Sequence, residues 1–147
     1  MAKIESTVTI ARARTDVFGY FLALDENVPK SNPDVESVVK TPDGPTQAGT
    51  TFRFRGKVLG RVRDTTTRFT AVVPDEEIQF EGVVGPMRPK CALTFDQAGA
   101  GTRVTFRGDP NPAGPFKLLS PLFTYKGQQV WSERLARAKA ALEASPS

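Results

Sequence analysis

The sequence predicts an α+β fold in which a long antiparallel sheet curls around a C-terminal helix and encloses a pocket. Three observations carry this reading. Residues 51–107 repeat the alternation of apolar and polar side chains that marks a strand with one wet face. Short turns rich in Gly, Pro and Asp join the runs, which favours a meander over alternating strand–helix units. After about residue 114 the strand alternation is gone and the apolar positions move to three- and four-residue steps. A sheet with one apolar face must cover it, and the terminal helix, about 30–45 Å long at 1.5 Å per residue, is the one element long enough. About seven strands and two short helices after the first strand complete the expected architecture.

The first strand spans residues 3–10, with Ile4, Val8 and Ile10 on one face. Residues 14–22 then change to helical spacing. Thr15 or Asp16 stands where an N-cap belongs, and Val17, Phe21 and Leu24 fall near one stripe. A second short helix fits residues 25–32, bounded by Pro29 and Pro33. Val35–Thr41 reads as a strand, closed by the turn Pro42-Asp43-Gly44-Pro45.

In Thr51–Val58 the residues Phe52, Phe54 and Val58 alternate with Arg53, Arg55 and Lys57. Gly60 interrupts. Over residues 61–73, Phe69, Ala71 and Val73 share one parity and Val62 takes the other, so a bulge or bend is expected between them. Unbulged, Arg61, Arg63, Thr65 and Thr67 face inward; bulged, Asp64, Thr66 and Arg68 replace them. Three further runs carry Ile78 and Phe80, then Cys91, Leu93 and Phe95, then Val104 and Phe106. In the last segment Leu119, Leu122, Phe123, Val130, Trp131, Leu135, Ala138 and Leu142 form the apolar stripe of a long helix whose start Pro121 limits or kinks. Residues 144–147 read as an unstructured tail.

Composition narrows the function. With 147 residues and 16.0 kDa, the chain is expected to form one domain over residues 1–147. No apolar run approaches the ~20 residues of a membrane span. Residues 1–10 lack the basic and apolar pattern of a secretory signal, so the expected compartment is cytoplasmic. Cys91 is the only cysteine, which rules out an internal disulfide and suits a small buried hydrophobe. There is no histidine, which excludes Ser–His–Asp and Cys–His nucleophile systems and zinc sites built on His. No metal and no cofactor is expected. The net charge of +4 is spread among acids and forms no basic face, so nucleic acid is not an expected partner.

The candidate ligand-binding residues follow from parity. Phe52, Phe54, Phe69, Phe80, Phe95 and Phe106 occupy the apolar face of five strands, where each either lines a cavity or packs on the helix. Leu119 and Phe123 are comparable positions in the last segment, while Trp131 leans towards core. Tyr20 and Tyr125, the only tyrosines, offer a ring and a hydroxyl. The segments 85–89 and 109–115 are rich in Pro and Gly and read as rims of a pocket mouth or as strand-stopping turns. No pattern identifies catalytic residues.

Several markers in this order resemble the START-like (SRPBCC) superfamily, specifically the bacterial polyketide cyclase/dehydrase and lipid-transport group. They are the opening strand followed by Thr15-Asp16-Val17-Phe18, the run Gly49-Thr50-Thr51-Phe52-Arg53-Phe54, the run Gly99-Ala100-Gly101-Thr102-Arg103-Val104-Thr105-Phe106, and the closing helix. The resemblance covers nearly the whole chain and implies a helix-grip fold. It also implies binding or transport of a hydrophobic small molecule, such as a lipid, polyketide or aromatic metabolite, by a monomer or homodimer. The alternative it carries is a polyketide aromatase/cyclase or dehydratase working in the same cavity.

Overall fold

The computed structural model describes residues 4–58 and 61–144. The elements run β1 (Ile4–Ile10), α1 (Arg14–Leu22), α2 (Leu24–Ser31), β2 (Val35–Thr41), β3 (Thr51–Val58), β4 (Arg61–Val73), β5 (Glu77–Val83), β6 (Lys90–Ala98) and β7 (Gly101–Asp109). A 3-10 helix (Gly114–Leu119) then leads into α3 (Ser120–Ala144). All seven strands form one antiparallel sheet in the order β1-β7-β6-β5-β4-β3-β2. This is the helix-grip arrangement that the alternation and the terminal helix predict. The interruption expected at Gly60, the strand position of Lys3 and the tail beyond Ala144 lie outside the described residues.

The concave face holds the core. Phe52, Phe69, Ile78, Leu93, Phe95, Val104 and Phe106 are buried there, and Leu135, Ala138 and Leu142 of α3 meet them. The helix α1 contributes Val17, Phe18 and Phe21, with Phe18 edge-on to Phe95 at 5.1 Å between ring centroids. Such aromatic contacts add about 0.5–1.5 kcal/mol beyond their buried area.

Four expectations need correction. First, α1 starts at Arg14 with Ala13 as N-cap and no capping side chain; Asp16 lies in the first turn and pairs with Arg12 at 3.2 Å. Second, Leu24 is not part of the α1 stripe but opens α2. Third, the bulge of β4 falls at Thr70, between Phe69 and Ala71, and so after the segment with two possible registers. It turns Val72 onto Ile78 and the core and leaves Val73 exposed, so Phe69, Ala71 and Val73 do not share a face. Fourth, only the C-terminal half of the α3 stripe is buried; Leu119, Leu122 and Val130 remain exposed.

The last correction follows from where α3 lies. β1 is an edge strand, and its outer backbone groups lack a strand partner. The helix supplies one: Gln128 Oε1 accepts from Glu5 N–H at 3.2 Å, and Gln128 Nε2 donates to the Glu5 carbonyl at 2.7 Å. Further along, Ser6 and Ser132 share a hydroxyl hydrogen bond at 3.1 Å, and Lys139 Nζ donates to the Thr9 carbonyl at 2.8 Å. Past the strand end, Ala11 N–H donates to Glu143 at 2.8 Å and Arg12 donates to the Leu142 carbonyl at 2.7 Å, placing a cation at the helix C-terminus. The salt-bridged Lys139 and the Ala11 amide hold the Glu143 carboxyl below its ordinary range. Backbone approach of α3 to the sheet is concentrated on β1, with a smaller contact to β7.

Gln128 satisfies two edge groups at once, each hydrogen bond being worth about 0.5–1.5 kcal/mol net. We expect Gln128→Ala to lower stability in urea denaturation by about 1–2 kcal/mol. Gln129→Ala, which removes only a contact to Tyr125 on the same helix, should stay within about 0.5 kcal/mol of the parent.

Candidate functional site

Because α3 follows β1, the strands on the far side of the sheet arch over the helix without closing on it. Two chambers remain between them. One, about 90 Å³, lies towards the paired short helices and is walled by Phe21, Leu24 and Val28 below and Phe69, Phe80 and Leu93 above. The other, about 240 Å³, opens towards the start of α3 and is walled by Ile4, Met87, Phe106, Leu122 and Phe123. Each is far larger than the ~10–15 Å³ that admits one water molecule. Phe54, Thr67, Trp131 and Arg134 border both and mark their junction.

Trp131 holds that junction. Its ring stacks on Phe106 with centroids 3.9 Å apart and planes 10° from parallel, and Phe80 packs at 5.8 Å. The register of β3 against β4 pairs Phe54 with Thr65 and Phe52 with Thr67, so both threonines sit on the concave face. Arg61 and Arg63 share that parity but lie exposed towards the strand end. The two Pro- and Gly-rich segments lace together at the rim of the larger chamber. Arg88 N–H donates to the Asn111 carbonyl at 3.2 Å, Ala113 N–H to the Pro86 carbonyl at 3.0 Å, and Asn111 Nδ2 to the Arg88 carbonyl at 3.1 Å. Met87, Pro89 and Pro110 line the chamber beneath.

Six of the ten candidate residues come together at these walls. Tyr20, Phe54, Phe69 and Phe80 border the smaller chamber, and Phe54, Phe106 and Phe123 the larger. The other four do not border either chamber. Phe52 is fully buried against Phe69 at 5.1 Å, and Phe95 is enclosed by Phe18 and Phe21 where α1 plugs the sheet. Leu119 ends a 3-10 helix with no buried residue and is 46% exposed. Tyr125 points outward, 59% exposed, where its hydroxyl accepts from Gln129 at 3.0 Å. Parity names a face of the sheet; depth along the strand depends on which helix lies beneath.

Arg134 and Arg137, absent from the candidates read in the sequence, are the charged members of the smaller chamber. Their signal was available. Arg134 stands four and eight residues before Ala138 and Leu142, in line with the buried stripe of α3. Its guanidinium lies over the Trp131 ring at 5.0 Å. Burial pushes its pKa down from the ordinary 12.5, although the side chain retains accessible surface. By its accessible surface the residue is exposed, and it stands at the open border of the two chambers. Arginine stays protonated in such settings.

Cys91 borders the larger chamber on the opposite wall. Burial raises its pKa from 9.0 to about 12, against the opposing pull of the Arg134 charge and with a smaller upward push from Asp109. The thiol is therefore neutral near pH 7 and a poor nucleophile. With the folded pKa above the unfolded one, this group favours the folded state below pH 9.0, and that contribution is lost as pH rises towards about 12. We expect iodoacetamide to alkylate Cys91 at least about tenfold more slowly in the folded protein than in urea at mildly alkaline pH. The folded-state rate should keep rising with pH beyond the point where the unfolded thiol levels off.

Among the described residues no helix is long and apolar enough to cross a membrane, and no cluster of His, Cys, Asp and Glu is suited to hold a metal ion. No curated protein matches the sequence significantly. Among solved structures, TTHA0849 from Thermus thermophilus superposes with a TM-score of 0.81 at 19% identity, covering 98% of this chain and 99% of that one. Ara h 8.0201 gives 0.74 at 13% identity, with 97% of each chain covered. The di-domain ARO/CYC StfQ from the steffimycin biosynthetic pathway gives 0.76 at 17% identity, covering 93% of this chain and 49% of that protein. At these identities the likeness is one of fold. The sequence itself matches the family model described as polyketide cyclase / dehydrase and lipid transport over residues 1–143, and the chain belongs to that family.

Proposed function

We propose that the protein binds and carries a hydrophobic small molecule in the paired chambers. The observation behind this is that aromatic residues of the concave face border open space instead of filling it. Phe54, Phe69, Phe80 and Phe106 of the sheet and Phe123 of α3 all stand at the walls, and Trp131 is the α3 ring that packs on Phe106 and Phe80 between the two chambers. Protein cores are ordinarily packed to crystal density, so voids of this size with apolar walls mark a site for a guest. Binding needs no nucleophile and no general base. The absence of histidine and the neutral Cys91 fit that economy.

A second reading is supported by one feature of the smaller chamber. Tyr20, Arg134 and Arg137 border it together. A phenol and two guanidinium groups around an enclosed polyketide would stabilise a developing enolate oxygen, as aromatase/cyclase chemistry requires. The fold shared with StfQ and with BexL, a di-domain ARO/CYC from the BE-7585A biosynthetic pathway, is consistent with this reading.

Nile red, a neutral fluorescent probe, reports on the cavity directly. We expect Phe54→Arg and Phe123→Asp each to weaken its binding by at least about tenfold, because a charge placed in an apolar wall must be desolvated. Tyr125→Ala, outside the walls, should bind as the parent does. Equal affinity in the two wall variants, with circular dichroism showing them folded, would count against the cavity. A ring-closed product from a linear polyketide thioester would favour the second reading.

A further inference from the structure

We infer that Arg134 is the anchor for an acidic ligand: a hydrophobic molecule whose carboxylate meets the guanidinium where the two chambers join. The inference rests on the cavity-binding reading and names the chemistry that such a cavity would select.

Arg134 stands exposed at the border of both chambers, beside their apolar walls, without a countercharge. Among the described residues it takes part in no ion pair and no hydrogen bond; its stabilising contact is the face of Trp131 at 5.0 Å. A cation beside apolar walls attracts an anion more strongly than one in open water, and the ring face leaves its N–H donors unpaired. The nearest wall groups offer no free anion. Cys91 carries a neutral thiol, and Asp109, the one carboxylate among the described residues bordering either chamber, is engaged at the rim by the Asn111 N–H at 2.8 Å. Lys126 and Arg137 add positive charge, so the chambers have a cationic balance within apolar walls.

The geometry points to a carboxylate rather than a more highly charged group. One planar guanidinium offers a fork of N–H donors that matches two carboxylate oxygens, and a phosphate dianion would call for a cluster of cations at the same point. Thr67 borders both chambers as Arg134 does and adds a hydroxyl to the same junction. The apolar body of the ligand then extends from the junction into the larger chamber, where Phe106, Leu122 and Phe123 provide contact.

A pair of probes differing only in charge tests this. Dansylaminoundecanoic acid and its methyl ester have the same hydrophobic body. At neutral pH we expect the acid to bind the full chain at least about tenfold more tightly than the ester, a typical return for a charge-assisted pair. Arg134→Met should erase that preference, bringing the ratio of acid to ester affinity to about one, and Arg134→Lys should restore part of it. Equal binding of acid and ester by the parent protein would overturn the role of Arg134 and leave the cavity reading standing. Failure of both probes to bind would overturn the cavity reading itself. The parent comparison decides the matter even if a variant does not fold.

Discussion

The attachment of α3 to the free edge of β1 is the constraint from which the rest of the architecture follows. An edge strand exposes backbone donors and acceptors that must find partners or invite another chain. Here Gln128 and Lys139 answer those at Glu5 and Thr9, and Glu143 and Arg12 fasten the end of the helix to the turn after the strand. A straight helix held along one margin of a curved sheet cannot also touch the opposite margin. The cavity is thus a consequence of how the helix is fixed and not of missing side-chain volume.

A void bordered by apolar groups forfeits dispersion contacts, and the surrounding protein gains by collapsing into it. Two features oppose collapse. The stack of Trp131 on Phe106, extended to Phe80, braces the helix against the sheet at a fixed separation. At the mouth, the loops after β5 and β7 are joined by backbone hydrogen bonds and stiffened by Pro86, Pro89, Pro110 and Pro112. The core below is packed normally, with α1 closing one end through Phe18 and Phe21 against Phe95. Stability and vacancy are assigned to different parts of the same sheet.

The electrostatics of the chambers are one-sided. Burial raises the Cys91 pKa and keeps the thiol neutral, while Arg134 remains a cation that makes no ion pair among the described residues. On the proposed binding reading, such a wall would accept an oily guest and discriminate by the sign of its polar end. Family membership is consistent with both carriage and ring chemistry.

The sequence by itself determined the sheet, the order of its strands along the chain, the two short helices and the closing helix. Each of these is written in local periodicity and turn chemistry, which act over a few residues. It also placed Phe54, Phe69, Phe80 and Phe106 on the concave face, because alternation assigns a face. Tertiary structure alone decided depth and register. The bulge at Thr70, the burial of Phe52 and Phe95 away from the chambers, and the outward position of Leu119 and Tyr125 depend on which helix lies under each strand. Arg134 shows the same division: its place on the apolar stripe is legible at four-residue steps, but that it faces open space with no countercharge emerges only when α3 is laid along β1. Local pattern specifies which side of an element is apolar; the packing of distant elements specifies whether that side is filled.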